Sequence, residues 1–363
     1  MISVSRYGLP NINGQPSWTL KAEKENLGFF GSLDYEVGGD VTLSVEGRYA
    51  KDSPVQHAAN GITAQRNFYS FTPRIIAKWQ TTDDVNVYAS LAKGNKPGGF
   101  NFGYFDAPVT VAGTEAAIAN GKALIKEEDA WTYEIGAKTQ WLDRRLTANV
   151  AVYYIAWKNQ AINEIDQIPW ECADTQIASN VQNIIIKNAA KSRVMGTEVE
   201  LTLAATDHLI LTLNYGLQDT ELLEFDSTVL FDLTGNGDAS GKEAPRVPKH
   251  TITTSAAYRR PLGDRGAEWF ARGDYVYNSK TWLEAENEAY VGALNLVNAR
   301  IGIESRSWTA AVYLDNVLDD DTPLLATQFP NFERFFESPI LPSAFHIVPR
   351  RGRNAGLTLT LRF

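Results

Sequence analysis

Most of this chain alternates, residue by residue, between apolar and polar side chains. Val85, Val87, Ala89 and Leu91 interleave with Asn86, Tyr88, Ser90 and Ala92. Trp131, Tyr133, Ile135 and Ala137 interleave with Thr132, Glu134, Gly136 and Lys138. Met195, Thr197, Val199, Leu201 and Leu203 do the same with Gly196, Glu198, Glu200 and Thr202. A period of two belongs to a strand with two unlike faces. It confines the chain to an all-β fold whose sheet separates two environments. No helical stripe competes, although residues 113–126 are expected to form a short helix within a loop.

The pattern predicts strands over 25–36, 40–51, 66–79, 85–94, 128–140, 145–158, 193–204, 208–220, 249–260, 267–279, 291–304, 307–317 and 354–363. Most reach roughly 10 residues, whereas ordinary globular strands average about 5–6 and a tilted bilayer-crossing strand needs about 9–11. The connections alternate in length. Gly38-Gly39-Asp40, 81–84, 142–145, 205–207, 261–266 and Ser305-Arg306 are short. Between them, 52–65, 95–127, 159–192, 221–248, 280–290 and 318–353 are longer. A soluble sandwich has no reason to keep that parity. An antiparallel transmembrane β-barrel does, with short periplasmic turns and long extracellular loops.

The faces agree. Glu46, Arg48, Glu134, Lys138, Glu198, Glu200, Arg272, Asp274 and Arg300 share the polar side of their strands and would line a wet lumen, while the apolar side would meet lipid. Trp131, Trp141, Tyr154, Trp157, Tyr275, Tyr277 and Trp308 fall near strand ends, as interfacial girdles do; the general strand preference of aromatics gives the same placement.

Composition excludes several classes. No run of about 18 apolar residues offers a membrane helix. The net charge of −9 argues against nucleic acid as a partner. Cys172 is the only cysteine, so no intrachain disulfide can form. His57, His208, His250 and His346 are scattered without HExxH spacing, and no cofactor or metal is expected. The opening MISVSRYGLP lacks the charged-then-apolar pattern of a signal peptide. The glycine-rich stretch KGNKPGGFN (93–101) superficially suggests a phosphate loop. However, Phe100 and Asn101 stand where Lys and Ser/Thr are required, and an alternating strand precedes it. It reads as the outer end of a barrel strand, with Pro97 ending the ladder and Gly98-Gly99 permitting a sharp turn.

In order and spacing, a series of segments resembles the β-barrel of TonB-dependent outer-membrane receptors. NVYASLAKGNKPGGFN resembles a family strand ending in Pro-Gly-Gly-x-Asn. KEEDAWTYEIGAKTQWLDRRLTANVAVYYIAWKNQ resembles its Tyr-Glu-x-Gly-x-Lys hairpin through Tyr133, Glu134, Gly136 and Lys138. NAAKSRVMGTEVELTL resembles the Gly-x-Glu-x-Glu strand through Gly196, Glu198 and Glu200. APRVPKHTITTSAAYR, AVYLDNVLDDD and PRRGRNAGLTLTLRF follow in family order, covering the chain from about residue 25 to its end.

The resemblance implies about 13–14 strands of a barrel of about 22, whose lumen is normally plugged. Residues 1–24 are expected to be irregular or to hold one extra strand, around 15–21. No plug domain is visible, so a truncated receptor is expected. The family's activity is TonB-energised uptake of a scarce ligand, such as a ferric siderophore, cobalamin or an oligosaccharide. Trp170 in loop 159–192, and Phe329, Phe332, Phe335, Phe336 and Phe345 in loop 318–353, are candidate ligand contacts or self-packing loop residues. Arg350, Arg351 and Arg353 form a basic cluster that would suit an anionic ligand or lipopolysaccharide phosphate, or be a solvated charge run. Leu357, Leu359, Leu361 and the terminal Phe363 resemble the signal read by the barrel-assembly machinery. Implied partners are outer-membrane lipid, lipopolysaccharide, that machinery, and the TonB complex if a plug is supplied. A plugless porin-like channel remains an alternative. So does a soluble carbohydrate-active β-protein using Glu198 and Glu200, though nothing selects either as the acid.

Overall fold

The computed structural model describes residues 2–7, 19–58, 60–105, 109–171, 178–227, 230–231, 234–263, 266–330 and 343–363. Among the described residues fourteen strands follow one another in chain order through one antiparallel sheet, to which a short fifteenth, Thr63–Gln65, adds by pairing with Val55–His57. The fourteen are β1 (Ile2–Tyr7), β2 (Thr19–Val37), β3 (Val41–His57), β4 (Phe68–Thr82), β5 (Val85–Lys96), β6 (Glu128–Trp141) and β7 (Leu146–Glu171). Then follow β8 (Ala178–Ala204), β9 (Leu209–Glu224), β10 (His250–Pro261), β11 (Glu268–Asn278), β12 (Leu294–Glu304), β13 (Trp308–Asp315) and β14 (Asn354–Leu361). The extra strand is Ile2–Tyr7, not 15–21; residues 19–21 already belong to β2. Among the described residues, β1 and β14 each pair with one neighbour only.

Register keeps like with like. Ile135 of β6 lies opposite Ala89 and Val152, while Glu134 lies opposite Ser90 and Tyr153. A one-residue slip would put charge into lipid, so two solvents fix the pairing. Leu27, Phe29, Leu33 and Leu357 are exposed on the outer face, an arrangement that only a lipid neighbour makes favourable. Tyr49 stacks near Tyr69, and Tyr133 lies tilted beside Tyr154, toward the long-loop rim; Trp79 and Trp141 stand exposed at the short-turn end. Eight residues at about 3.3 Å each separate Tyr133 from Trp141, comparable with the ~25 Å apolar band of outer-membrane barrels.

The short connections are tight. Gly38 and Gly39 take φ of 64° and 84°, a left-handed backbone that glycine adopts at no steric cost, within the three-residue turn closed by the Val37↔Val41 pair. The long connections are more structured than the alternation suggests. Residues 159–192 are largely not a loop: β7 and β8 continue as a paired ribbon, Ala161↔Asn188 through Glu171↔Ala178, beyond a register shift at Trp157–Ala161. Above the bilayer a ribbon needs no lipid-facing side, so the pairing outlives the sequence signal. Loop 318–353 likewise holds a hairpin, Leu325–Pro330 with Ser343–Val348. Helix α1 spans Val111–Ala119, starting two residues before and ending seven residues before the expected bounds; the Thr110 hydroxyl accepts from the Gly113 N–H at 3.0 Å and caps its start.

Buried apolar residues gather in the loop layer as two clusters. One contains Tyr104, Phe105, Val109 and Ile185; the other contains Leu222, Phe225, Leu230 and Ala285.

Candidate functional site

The extracellular loop layer is fastened to the wall by polar pairs at strand ends. KGNKPGGFN faces the acidic run Glu127-Glu128-Asp129 across the β5–β6 ladder. Lys93 reaches Asp129 at 2.9 Å and Lys96 reaches Glu128 at 2.6 Å. Asn95 donates to Glu127 and Asp129 at 3.2 and 3.1 Å, and the Trp157 indole donates to Glu128 at 3.1 Å. β5 stops at Lys96, immediately before Pro97. Gly98 and Gly99 do not adopt positive φ. Gly98 is needed instead for close approach: a Cβ there would lie 2.4 Å from the Ile125 carbonyl oxygen. Asn101 is 2% exposed; its amide donates to Lys122 O and Ile186 O and accepts from the Ile186 N–H. It thereby ties loop 97–127 to the β8 extension.

A second platform forms where loops 225–249 and 279–290 meet. The Asn287 side chain accepts from the Glu243 N–H at 2.7 Å and donates to its carbonyl at 3.0 Å, while Ser227 donates to buried Glu286. The hairpin Thr281–Trp282 with Tyr290–Val291 brings two rings into edge contact at 5.6 Å. The Lys280 ammonium lies 4.0 Å from the Trp282 centroid and 5.4 Å from that of Tyr290. Tyr290 is exposed. Sequence reading missed this cation–aromatic group, because Lys280 and Tyr290 meet only through a two-residue hairpin.

Of the anticipated contacts, Trp170 falls on β7, its backbone paired with Ser179. Phe329 lies on the 325–348 hairpin, paired with Ala344. Phe345 is on the same hairpin and 46% exposed. Phe332, Phe335, Phe336 and Cys172 lie outside the described residues. The arginines separate. Arg350 Nε donates to the Thr322 carbonyl at 3.0 Å and clamps a turn; Arg351 remains at the rim, donating to Asn354 at 3.1 Å.

That turn, 316–322, depends on Asp320, which accepts from the Asn295 N–H at 2.8 Å and the Thr322 N–H at 2.9 Å. Burial pushes the Asp320 carboxyl up, but the Thr322 and Asn295 donors, with Arg350 nearby, outweigh it and hold it below the usual value. The folded carboxyl is the stronger acid. Its contribution is therefore fully present above the unfolded value of about 4 and is lost as pH falls through the lower folded value. Hydrogen exchange at the Asn295 amide is expected to accelerate below about pH 4, and Asp320→Asn to show the accelerated rate already at pH 7. An unchanged Asn295 rate in Asp320→Asn would refute the latch.

The inner wall carries Glu134, Glu198 and Glu200 on one face. Tyr88 donates to Glu134 at 2.7 Å and Asn149 to Glu200 at 3.2 Å. Among the described residues no three His, Cys, Asp or Glu side chains converge to hold a metal ion.

The sequence of residues 3–317 matches the family model for the TonB-dependent receptor-like β-barrel. The chain belongs to that family. A probable TonB-dependent siderophore receptor, PiuA of Acinetobacter baumannii, is 26% identical over 291 residues, which are 80% of this chain and 33% of that protein. The metal-pseudopaline receptor CntO of Pseudomonas aeruginosa is 24% identical over 326 residues, 87% of this chain and 37% of the relative. The ferric yersiniabactin uptake receptor FyuA of Yersinia pestis shares the fold at TM-score 0.68 and 18% identity, over 96% of this chain and 48% of that structure. The chain thus spans about a third of these relatives' sequences and about half of that receptor's structure. As a member of this barrel family it sits in the Gram-negative outer membrane, lumen-facing charges inward and apolar rows toward lipid.

Proposed function

We propose that this barrel wall and its loop layer serve the uptake of a scarce metal–siderophore ligand, energised through TonB, with a plug and closing strands supplied beyond the residues described. The observation that carries the reading is the ordered outer layer. It presents Lys280 over Trp282 and Tyr290, exposed Phe345, and Arg351 at the rim. Rings and fixed cations suit planar, anionic metal chelates, since stacking and charge-assisted hydrogen bonds act together. PiuA is named a probable siderophore receptor and CntO a metal-pseudopaline receptor, which favours that ligand class over sugars. Leu357, Leu359, Leu361 and Phe363 are exposed apolar residues in alternating positions, which supports reading them as a segment that the barrel-assembly machinery would recognise. Arg351 offers a phosphate contact to lipopolysaccharide.

The test is uptake of radioactive iron from siderophore-containing spent medium by iron-starved cells dependent on this protein. Trp282→Ala with Tyr290→Ala removes two aromatic contacts at roughly 1 kcal/mol each, so half-saturation should shift about 30-fold. Collapse of the proton gradient should abolish accumulation. Gradient-independent entry together with steady conductance in planar bilayers would replace this reading with a passive channel.

A further inference from the structure

Two adjoining hollows lie on the lipid-facing side of β9–β13. They enclose about 450 and 570 Å³ and share Ala256 and Gly273 in their floor. Register explains them. One row crosses the sheet as Leu211↔Ala256↔Gly273↔Ala299↔Leu314. Three small residues follow one another between two leucines, so the wall dips into a trough. Local packing does not demand the glycine: its φ is not positive, and a Cβ built there would meet no atom within 4 Å. Each of these strands has a paired neighbour on both sides, and the trough faces away from the lumen. A plug or closing strands would leave it as it is.

The short-turn end of the trough is polar. Tyr258 lines it, with its ring centroid 4.9 Å from that of Trp269 and 6.1 Å from that of His208. Trp269 is the cross-strand partner of Arg260. Arg260 and His208 are both exposed. Arg259, on the inner face, is answered by Glu304 at 2.9 Å and Glu268 at 3.8 Å. Asp207, beside His208, reaches Arg145 at 3.9 Å. Among the described residues Arg260 has no carboxylate within ion-pair distance.

We propose that the trough is a binding site for an anionic phospholipid of the periplasmic leaflet, one acyl chain lying over Ala256, Gly273 and Ala299 and the phosphate held by Arg260 with a ring N–H of His208. Charge complementarity sets the occupant. A guanidinium and an imidazole N–H suit a phosphate, and interfacial rings mark headgroup depth. A second copy of this chain would bring another cation with its apolar face. Each hollow has the size of a small-molecule site, roughly 300–1,000 Å³. Lipid already surrounds the wall, so burial alone gives no preference; the phosphate contacts and the fit of the chain supply it. The site is on the outside of the wall and does not rest on the uptake reading.

Native mass spectrometry tests this, with dioleoylphosphatidylglycerol as the probe and protein extracted from outer membranes in detergent and checked for heat-modifiable migration. One tightly retained phosphatidylglycerol per protein is expected. Arg260→Gln removes a charged hydrogen-bond donor and should weaken retention about tenfold. Gly273→Leu fills the trough where a side chain has room and should weaken it severalfold. Arg144→Gln removes a cation from another short turn and should bind as wild type. Dioleoylglycerol, with the chains and no phosphate, should be held equally by wild type and Arg260→Gln. Equal retention of phosphatidylglycerol by wild type, Arg260→Gln and Gly273→Leu would overturn the proposal. So would a lipid-free dimer that Gly273→Leu dissociates, which would give the trough to a second copy.

Discussion

Replacing Ile135 with arginine is expected to strip this protein from the outer membrane. Ile135 stands 58% exposed near the middle of β6, with Ala89 and Val152 as its cross-strand neighbours. In water such a position would tolerate arginine within about 0.5 kcal/mol. Facing hydrocarbon, the same change costs about 2–4 kcal/mol at the bilayer midplane. Ser90→Arg is the matched control. Ser90 lies one residue away in the register, on the inner face opposite Glu134, where a guanidinium gains a carboxylate and stays wet. Outer-membrane abundance and the urea midpoint in lipid vesicles read both. The expected outcome is a collapse of folded Ile135→Arg against near-normal Ser90→Arg. Equal accumulation of the two would mean that the alternation does not separate lipid from lumen.

That experiment probes what the sequence displays most openly. Alternation was legible because two unlike solvents act on opposite faces of every wall residue, from Ile135 and Glu134 to Leu357 and Thr358. It failed where only water is present. Residues 161–171 and 178–188 pair as regularly as the wall, yet Asn163, Asp166 and Asn183 carry no lipid-facing row to betray them. Loop chemistry was legible as composition but not as geometry. The arginine trio seemed one cluster, whereas Arg350 is spent on the Thr322 carbonyl, Arg353 is fixed through its backbone N–H to Asp319, and Arg351 donates to Asn354 at the rim. Lys280, Trp282 and Tyr290 went unnoticed because a strand-by-strand reading treats their segment as a plain connection. The lipid-facing trough needs register, since nothing local sets Ala256, Gly273 and Ala299 in one row. The apolar face of each strand was visible; the alignment of their small residues was not.

Asn101 shows the same divide most sharply, and it carries the second large effect. In the sequence it is the last letter of a turn-like run. In the structure its amide satisfies Ile186 on both backbone groups, donating at 2.5 Å and accepting at 2.6 Å, across 85 residues of chain. A donation to Lys122 O at 3.2 Å closes the knot. Asn101→Ala leaves buried donors and acceptors without partners, at about 1–3 kcal/mol each. The wall ladder does not involve this side chain, so the barrel should still assemble and migrate normally. What opens is the loop layer. Exchange of the Ile186 amide should accelerate by about 30-fold or more, corresponding to at least ~2 kcal/mol of local opening. Protease should then cut within 97–127. Gly98→Ala attacks the same junction from the backbone side: its Cβ would sit 2.3 Å from the Phe68 ring and 2.4 Å from the Ile125 oxygen, so the Gly99–Ile125 pairing must shift. Both variants should therefore loosen one loop over an intact wall. If Ile186 exchanges at the wild-type rate in Asn101→Ala, the layer is held by its apolar cluster around Phe105 and not by this asparagine.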